Sequence, residues 1–171
     1  RDIVLRRNRI ENNYSDGNGH SQGMFSSGID GLLLEENIFY HNGWNRQNNE
    51  DGVTDAEEAT MFNHNIYYYN ARNARFVRNI SIMPSSMNFK FTSGEASGSS
   101  GPMLFDDNLF IDGEIGIGIG GNIDVPDRFQ DITIRNNVFT EIGRSRPTGR
   151  TLGWSLDIRD WNTGTVEDNL F

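Results

Sequence analysis

The chain of 171 residues lacks cysteine and contains a single lysine, Lys90. The absence of cysteine excludes disulfide bonds and thiolate metal sites. No apolar run approaches the roughly 18 residues of a membrane-spanning helix, so no membrane span is expected. The formal net charge of −9 argues against nucleic-acid binding, which requires a basic surface. The same charge opposes strongly anionic polysaccharides unless cations or a local basic patch intervene, whereas sugars of low charge meet no such conflict.

A short pattern repeats along the chain around six asparagines. Apolar residues lie five and three places before each asparagine, although the last repeat keeps only the nearer one, and a bulky apolar residue usually follows two places after it. The steps between the asparagines are 29, 42, 29, 29 and 32 residues, and a long period of this kind indicates a repeat architecture. The six are Asn8, Asn37, Asn79, Asn108, Asn137 and Asn169.

The local pattern predicts what one repeat forms. Alternating apolar residues, such as Ile132 and Ile134, indicate strands with one buried face. The asparagine is expected to take the left-handed conformation that a sharp corner needs, with a second, shorter strand directly after it. Stacked asparagines can also hydrogen-bond from repeat to repeat. The sequence therefore predicts an all-β solenoid, a parallel β-helix in which each repeat is one rung of three strands.

These repeats resemble the right-handed parallel β-helix of the pectate-lyase-like superfamily over essentially the whole chain. In that family's terms, strand PB2 precedes each asparagine, PB3 follows it, and PB1 lies just upstream of the next PB2. The stretches 41–45 and 63–67 also resemble secreted bacterial β-helix repeat proteins. The PB1 strands are expected at Gly23–Ser27, Thr60–His64, Asn88–Ser93, Ile115–Gly121 and Trp154–Arg159.

Residues 1–171 are expected to form one β-helix segment of about five rungs. The chain opens and closes on a strand, and a bare terminal rung exposes strand edges and core. We therefore expect a piece of a longer solenoid without its end caps, with any secretion signal outside the given residues. The resemblance implies an exported bacterial protein, either secreted or periplasmic.

Loop lengths predict a groove over PB1 of the third and fourth rungs. The loops between PB3 and PB1 are long in the other complete rungs and short in these two. The acidic loop at 51–58 is expected to wall one side and the arginine-rich loop at 144–150 the other. On the groove surface, Gly116, Gly118 and Gly120 are expected to point outward, which lets a ligand approach the backbone closely. The alternative is that these glycines only fill a bare β-face.

The resemblance implies a carbohydrate-active enzyme that acts on a polysaccharide. The favoured activity is that of a polysaccharide lyase, which cleaves a uronic-acid-containing polysaccharide by β-elimination, or of a related epimerase. Such chemistry needs a base and a cation that neutralises the uronate carboxylate, and the candidate catalytic residues are Lys90, His64 and Arg159. The candidate substrate-binding residues are Asn63, Tyr67, Asn88, Thr92, Gly116, Gly118, Asp157, Trp44 and Arg146.

Several alternatives remain open at the level of sequence. Outward lysine, aspartate and arginine side chains can simply be solvated, and His64 can belong to a hydrogen-bonded corner. The acidic loop offers oxygen ligands suited to Ca²⁺, but it lacks the order of an EF-hand, and a solvated loop is the alternative. The competing function is a non-catalytic glycan-binding or structural module, such as an adhesin or tailspike-like segment. A glycoside hydrolase is a further alternative, although no second carboxylate obviously pairs with Asp157.

Overall fold

The computed structural model describes residues 2–14, 20–44, 59–94, 100–120 and 127–171, which contain sixteen strands and no helix. No helix in these ranges is therefore long and apolar enough to cross a membrane. The strands are β1 Ile3–Arg6, β2 Arg9–Glu11, β3 Gln22–Ser27, β4 Asp30–Glu35, β5 Ile38–Tyr40, β6 His64–Tyr69, β7 Arg72–Val77, β8 Ile80–Ile82, β9 Met87–Thr92, β10 Met103–Asp106, β11 Leu109–Ile111, β12 Ile115–Ile119, β13 Ile132–Arg135, β14 Val138–Thr140, β15 Trp154–Ile158 and β16 Gly164–Glu167.

The strands form three parallel sheets, each of which takes one strand from every rung. The PB2 sheet has the order β1-β4-β7-β10-β13-β16, the PB3 sheet β2-β5-β8-β11-β14, and the PB1 sheet β3-β6-β9-β12-β15. Every pairing within these sheets joins strands of successive rungs. The chain is thus a right-handed parallel β-helix with five complete rungs and part of a sixth, as the sequence predicted.

The six repeat asparagines stack in one column, which we call the Asn ladder. Each of the first five donates from its side-chain Nδ2 to the Oδ1 of the next, at 2.9–3.0 Å. The backbone N–H of each donor asparagine reaches the same Oδ1. Asn37, Asn79, Asn108 and Asn137 are at most 1% exposed. The ladder therefore satisfies a row of buried polar groups that water cannot reach.

The left-handed corner lies one residue earlier than the sequence predicted. The residues with positive φ, between 52° and 59°, are the ones that directly precede the ladder: Arg7, Glu36, Arg78, Asp107, Asn136 and Asp168. The expectation that the asparagine itself takes this conformation is wrong. The preceding residue makes the turn, and its side chain stays at the surface. The asparagine side chain is thereby left inside, in line with the column.

Apolar residues three places before the ladder form a continuous stack. Leu34, Phe76, Phe105 and Ile134 are fully buried and occupy equivalent positions of the PB2 sheet. The rings of Phe76 and Phe105 are parallel, with centroids 4.8 Å apart. Val166 continues the register but remains 42% exposed because β16 is the last strand of its sheet. The predicted core column is confirmed, and its final member is only partly covered.

The second PB1 strand begins four residues later than predicted. The sequence placed it at Thr60–His64, whereas β6 runs from His64 to Tyr69. Residues 60–63 form a turn, in which Phe62 N–H donates to the hydroxyl of Thr60 and Asn63 N–H to its carbonyl. The strand instead uses the β-branched and aromatic residues that follow, with Ile66 and Tyr68 in the core.

Strict alternation fails at the start of the PB1 strands, and this changes which side chains point outward. Asn88 and its neighbour Phe89 are both fully buried. A Cβ at Gly116 would lie 2.6 Å from a ring carbon of Phe139, which belongs to the core cluster. Gly116 therefore faces the core, and the expectation that it points outward is wrong. Its neighbour Ile115 is buried as well, at 1% exposed.

Replacing Phe105 with alanine is expected to destabilise the fold by about 3–5 kcal/mol, because it removes a fully buried ring from the core stack. Val166→Ala in the same column is the matched control and should cost less than about 1 kcal/mol, since that side chain is already partly exposed. Chemical denaturation of both variants measures the difference. Equal losses would contradict the register.

Replacing Asn108 with alanine is expected to cost about 1–3 kcal/mol, because the buried N–H groups of Asn79 lose their acceptor. Asn8→Ala removes the ladder's exposed first member and should change the free energy of unfolding much less. Denaturation curves of the two variants test this. A larger loss for Asn8→Ala than for Asn108→Ala would show that the ladder is not a buried stabilising element.

Candidate functional site

The outward face of the PB1 sheet carries one column of side chains that crosses all five complete rungs. The register of the sheet aligns Phe25, Tyr67, Lys90, Gly118 and Asp157. We call this row the central column. Because neighbouring strands lie about 4.8 Å apart, the column brings together residues that are far apart in the chain. Lys90 and Gly118 lie on the third and fourth rungs, where the groove was predicted. Tyr67, Lys90, Gly118 and Asp157 had all been singled out from the sequence as site residues.

Lys90 lies at the middle of the central column and packs against an aromatic ring. Its Nζ is 5.4 Å from the centroid of the Tyr67 ring, within the range of a cation–π contact. Partial burial lowers the pKa of Lys90 below its ordinary 10.5, and the nearby Arg150 guanidinium lowers it further. A larger share of this amine is therefore neutral, and able to accept a proton, than for a solvated lysine.

A small cavity of about 110 Å³ opens beside Lys90. Its lining includes the outward glycines Gly118 and Gly120 and the pair Asp157 and Arg159. Arg159 Nε donates to Asp157 Oδ1 at 2.9 Å. A Cβ at Gly120 would lie 2.7 Å from the Cβ of Arg159, so the glycine gives this arginine room beside the cavity. Lys90, Asp157 and Arg159 thus line one cavity.

His64 lies next to this site but is fully buried. Its Nδ1 accepts a hydrogen bond from the backbone N–H of Met87 at 3.3 Å, so the ring proton belongs on Nε2, which has no hydrogen-bond partner among the described residues. Burial holds the pKa of His64 well below its ordinary 6.5, and the charges of Lys90 and Arg150 add to this effect. His64 is therefore neutral and lies behind the outward face rather than on it.

Tyr67, which lies next to Lys90 in the central column, is hydrogen-bonded to Thr92. The hydroxyl of Thr92 donates to the hydroxyl of Tyr67 at 3.0 Å. The Tyr67 ring meets the Phe25 ring edge-on, with centroids 5.5 Å apart, and meets the His64 ring in the same way at 5.9 Å. The phenol is thus held in place from several sides and keeps its own proton available for donation.

A buried ion pair beside the site was not foreseen from the sequence. The carboxylate of Glu114 is fully buried and pairs with the guanidinium of Arg150. It also accepts hydrogen bonds from the hydroxyls of Thr148 and Ser86, and Arg150 Nη2 donates to Ser86 at 2.9 Å. Arg150 further reaches the sulfur of Met61 at 3.7 Å. The arginine-rich loop of the fifth rung therefore folds back over the third and fourth rungs, and this ion pair fixes it there.

Three of the predicted binding residues are turned away from the outward face of PB1. Asn63 is fully buried, where it donates to the carbonyl of Gly43 and accepts from the N–H of Ser21. Asn88 is fully buried and bonds to Ser81 and to the carbonyl of Asp112. Gly116 faces the core, as described above. Asn63 and Asn88 are buried because a polar column fills the corner at which their PB1 strands begin.

Trp44 and Arg146 lie away from the central column. The indole N–H of Trp44 donates to the carbonyl of Met83 at 3.0 Å, and its ring stacks on His41 at 4.7 Å. This places Trp44 at the corner that follows the PB3 sheet. Arg146 is exposed on the arginine-rich loop. From that loop it is Arg150, rather than Arg146, that reaches the PB1 strands.

No group of three or more His, Asp or Glu side chains is positioned to hold a metal ion in the part of the chain that the structure describes. The acidic loop at 51–58, which the sequence suggested as a Ca²⁺ ligand, lies outside the described residues.

Comparisons with protein-family models, curated proteins and solved structures found no match to this chain.

Removing Arg150 is expected to destabilise the fold by about 3–5 kcal/mol, because Arg150→Met leaves the buried Glu114 carboxylate without its counter-charge. Adding Glu114→Gln to the same variant should restore part of the loss. Arg144→Met is the matched control, since Arg144 pairs with Glu141 at the surface and should cost below about 1 kcal/mol. Denaturation curves that show similar losses for both arginines would contradict the role of the ion pair.

Acidification below about pH 6.5 is expected to destabilise the fold through His64. The pKa of His64 is far lower in the folded chain than the ordinary 6.5, so the unfolded chain takes up a proton that the folded chain does not. Stability then falls with decreasing pH, by at most about 1.4 kcal/mol per pH unit. His64→Asn, whose side-chain oxygen can accept the Met87 N–H, should flatten this dependence. His20→Asn, at an exposed position, should not, and equal slopes in both variants would contradict the assignment.

Proposed function

We propose that this protein is a carbohydrate-active enzyme that binds a uronic-acid-containing polysaccharide along PB1 and cleaves it by β-elimination. The observation that carries the proposal is the environment of Lys90. The only lysine of the chain is partly buried, has a lowered pKa, and lines a cavity together with Arg159. A base and a cation in one cavity on the open face of a β-helix are what this reaction requires. A substrate of this kind also suggests an exported protein.

Each step of the proposed reaction is assigned to one residue of the site. Neutral Lys90 removes the proton from C5 of the uronate, and Arg159 neutralises the carboxylate, on which negative charge builds up. The bond from C4 to the glycosidic oxygen then breaks, and its electron pair leaves with that oxygen as the double bond forms between C4 and C5. The hydroxyl of Tyr67, which already accepts a bond from Thr92, donates a proton to the leaving oxygen. Proton transfer from Lys90 through solvent returns Tyr67 to its starting state.

Among the alternatives, an epimerase would share the first of these steps. A glycoside hydrolase of the two-carboxylate type finds less support, since Asp157 is the one carboxylate that lines the cavity among the described residues. A non-catalytic glycan-binding module is favoured by one specific observation, the exposed ring of Phe25 in line with Lys90.

Lys90→Ala is expected to lower the rate of cleavage by roughly 10²–10⁴-fold, as for loss of a general base. The assay screens uronate polysaccharides, namely polygalacturonate, alginate, hyaluronan and gellan, for the ultraviolet absorbance of the unsaturated product. Lys90→Arg keeps the charge but not the base and should be equally inactive. Arg75→Ala, which removes an exposed cation from the PB2 sheet, is the control and should remain active.

Activity is also expected to rise with pH. Lys90 must lose its proton to act as a base, and its lowered pKa puts the midpoint of the rise below pH 10.5. Full activity of Lys90→Ala on a cleaved substrate would contradict the proposed base. Absence of product from every polymer, with retained binding, would favour the glycan-binding module.

A further inference from the structure

The aromatic end of the central column is a surface feature that the proposed chemistry does not use. Phe25 is 59% exposed although it lies in the middle of a strand. Its ring contacts the Tyr67 ring edge-on, and the Lys90 ammonium lies over the Tyr67 ring. Three neighbouring strands thus present an exposed ring, a half-buried ring and a cation in one line. An exposed ring in line with a cation that borders a polar cavity is typical of a binding surface.

The spacing of this line matches an extended glycan. Phe25 and Lys90 are two strands apart, which corresponds to roughly 10 Å in a parallel sheet. That distance is close to the length of two sugar units in an extended chain. A glycan that lies along the column with a uronate at Lys90 would therefore place the next sugar against Tyr67 and the following one against Phe25. The C–H face of a pyranose packs against an aromatic ring as other apolar surfaces do.

The charge distribution decides what kind of sugar fits there. The two cations that line the cavity, Lys90 and Arg159, lie on the third and fifth rungs. At the other end of the column, strand β3 carries no basic residue. The residues of this strand that flank Phe25 on the outward face are uncharged. The net charge of −9 further opposes a polymer with a charge on every unit. A sugar over Phe25 is thus expected to be uncharged.

We infer that Tyr67 and Phe25 form a subsite for two successive uncharged sugars, so that the ligand is a polysaccharide in which each uronate is followed by at least two neutral sugars rather than a homopolymer of uronates. This inference rests on the proposed function, because it takes the uronate position from the site at Lys90. It assigns a binding role to Phe25 and narrows the substrate class.

Binding measured by isothermal titration calorimetry tests the subsite without requiring catalysis. Gellan, in which neutral sugars separate successive uronates by more than one unit, is the polymer that fits the subsite; hyaluronan, which would place a uronate over Phe25, and the uronate polymers polygalacturonate and alginate serve for comparison. The protein is expected to bind gellan more tightly than any of the other three. Phe25→Ala should weaken that binding roughly two- to tenfold, whereas Phe25→Tyr, which keeps the ring, should bind normally. Val4→Ala removes an exposed apolar side chain from the PB2 sheet and is the control; melting curves verify that all variants are folded.

The outcomes separate this inference from the proposed function. Tighter binding of hyaluronan or of a uronate polymer, or unchanged binding by folded Phe25→Ala, overturns the subsite and leaves the proposed site at Lys90 intact. Failure of the parent protein to bind any of the four polymers overturns both.

Discussion

The fold depends on the hydrogen bonds of the Asn ladder. Each buried amide both donates to the next rung and accepts from the previous one, so a rung that slips along its strand leaves several buried polar groups unpaired. Apolar stacking alone specifies the strand register weakly, because side chains of different shape fill equivalent positions. Leu34, Phe76 and Ile134 are examples. The ladder therefore supplies register, and the aromatic core supplies most of the favourable burial.

The candidate site is a consequence of that register. Lys90 meets Tyr67 on one side and Gly118 on the other because the strands that carry them are held in step. The cavity exists because glycine occupies two outward positions where a side chain would contact Met87 or Arg159. The Glu114–Arg150 pair then fixes a loop from the fifth rung beside this face. The surroundings of Lys90 thus depend on three features of the structure: the stacking of rungs, the outward glycines, and the path of one loop.

The sequence predicted the parts of the structure that repeat, and it failed where the repeat is interrupted. The Asn ladder and the column through Phe105 follow from a pattern present in every rung. Strand β6 was misplaced because it lies within the longest step between asparagines, where the pattern gives no register. Gly116 was assigned to the wrong face because alternation fails at the start of its strand. The partnership of Arg150 with Glu114 depends on how a loop folds over other rungs, and no local pattern encodes that.

The proposed function requires Lys90 to be a partly buried, reactive lysine in a glycan-binding site. Because Lys90 is the only lysine of the chain, this claim can be measured directly. Nuclear magnetic resonance of protein labelled only at lysine reports one side chain, Lys90. The account predicts a titration midpoint below the ordinary 10.5 and a change in the lysine signal when a uronate-containing oligosaccharide is added. A midpoint at or above 10.5, together with a signal that does not respond to any such oligosaccharide, would contradict it.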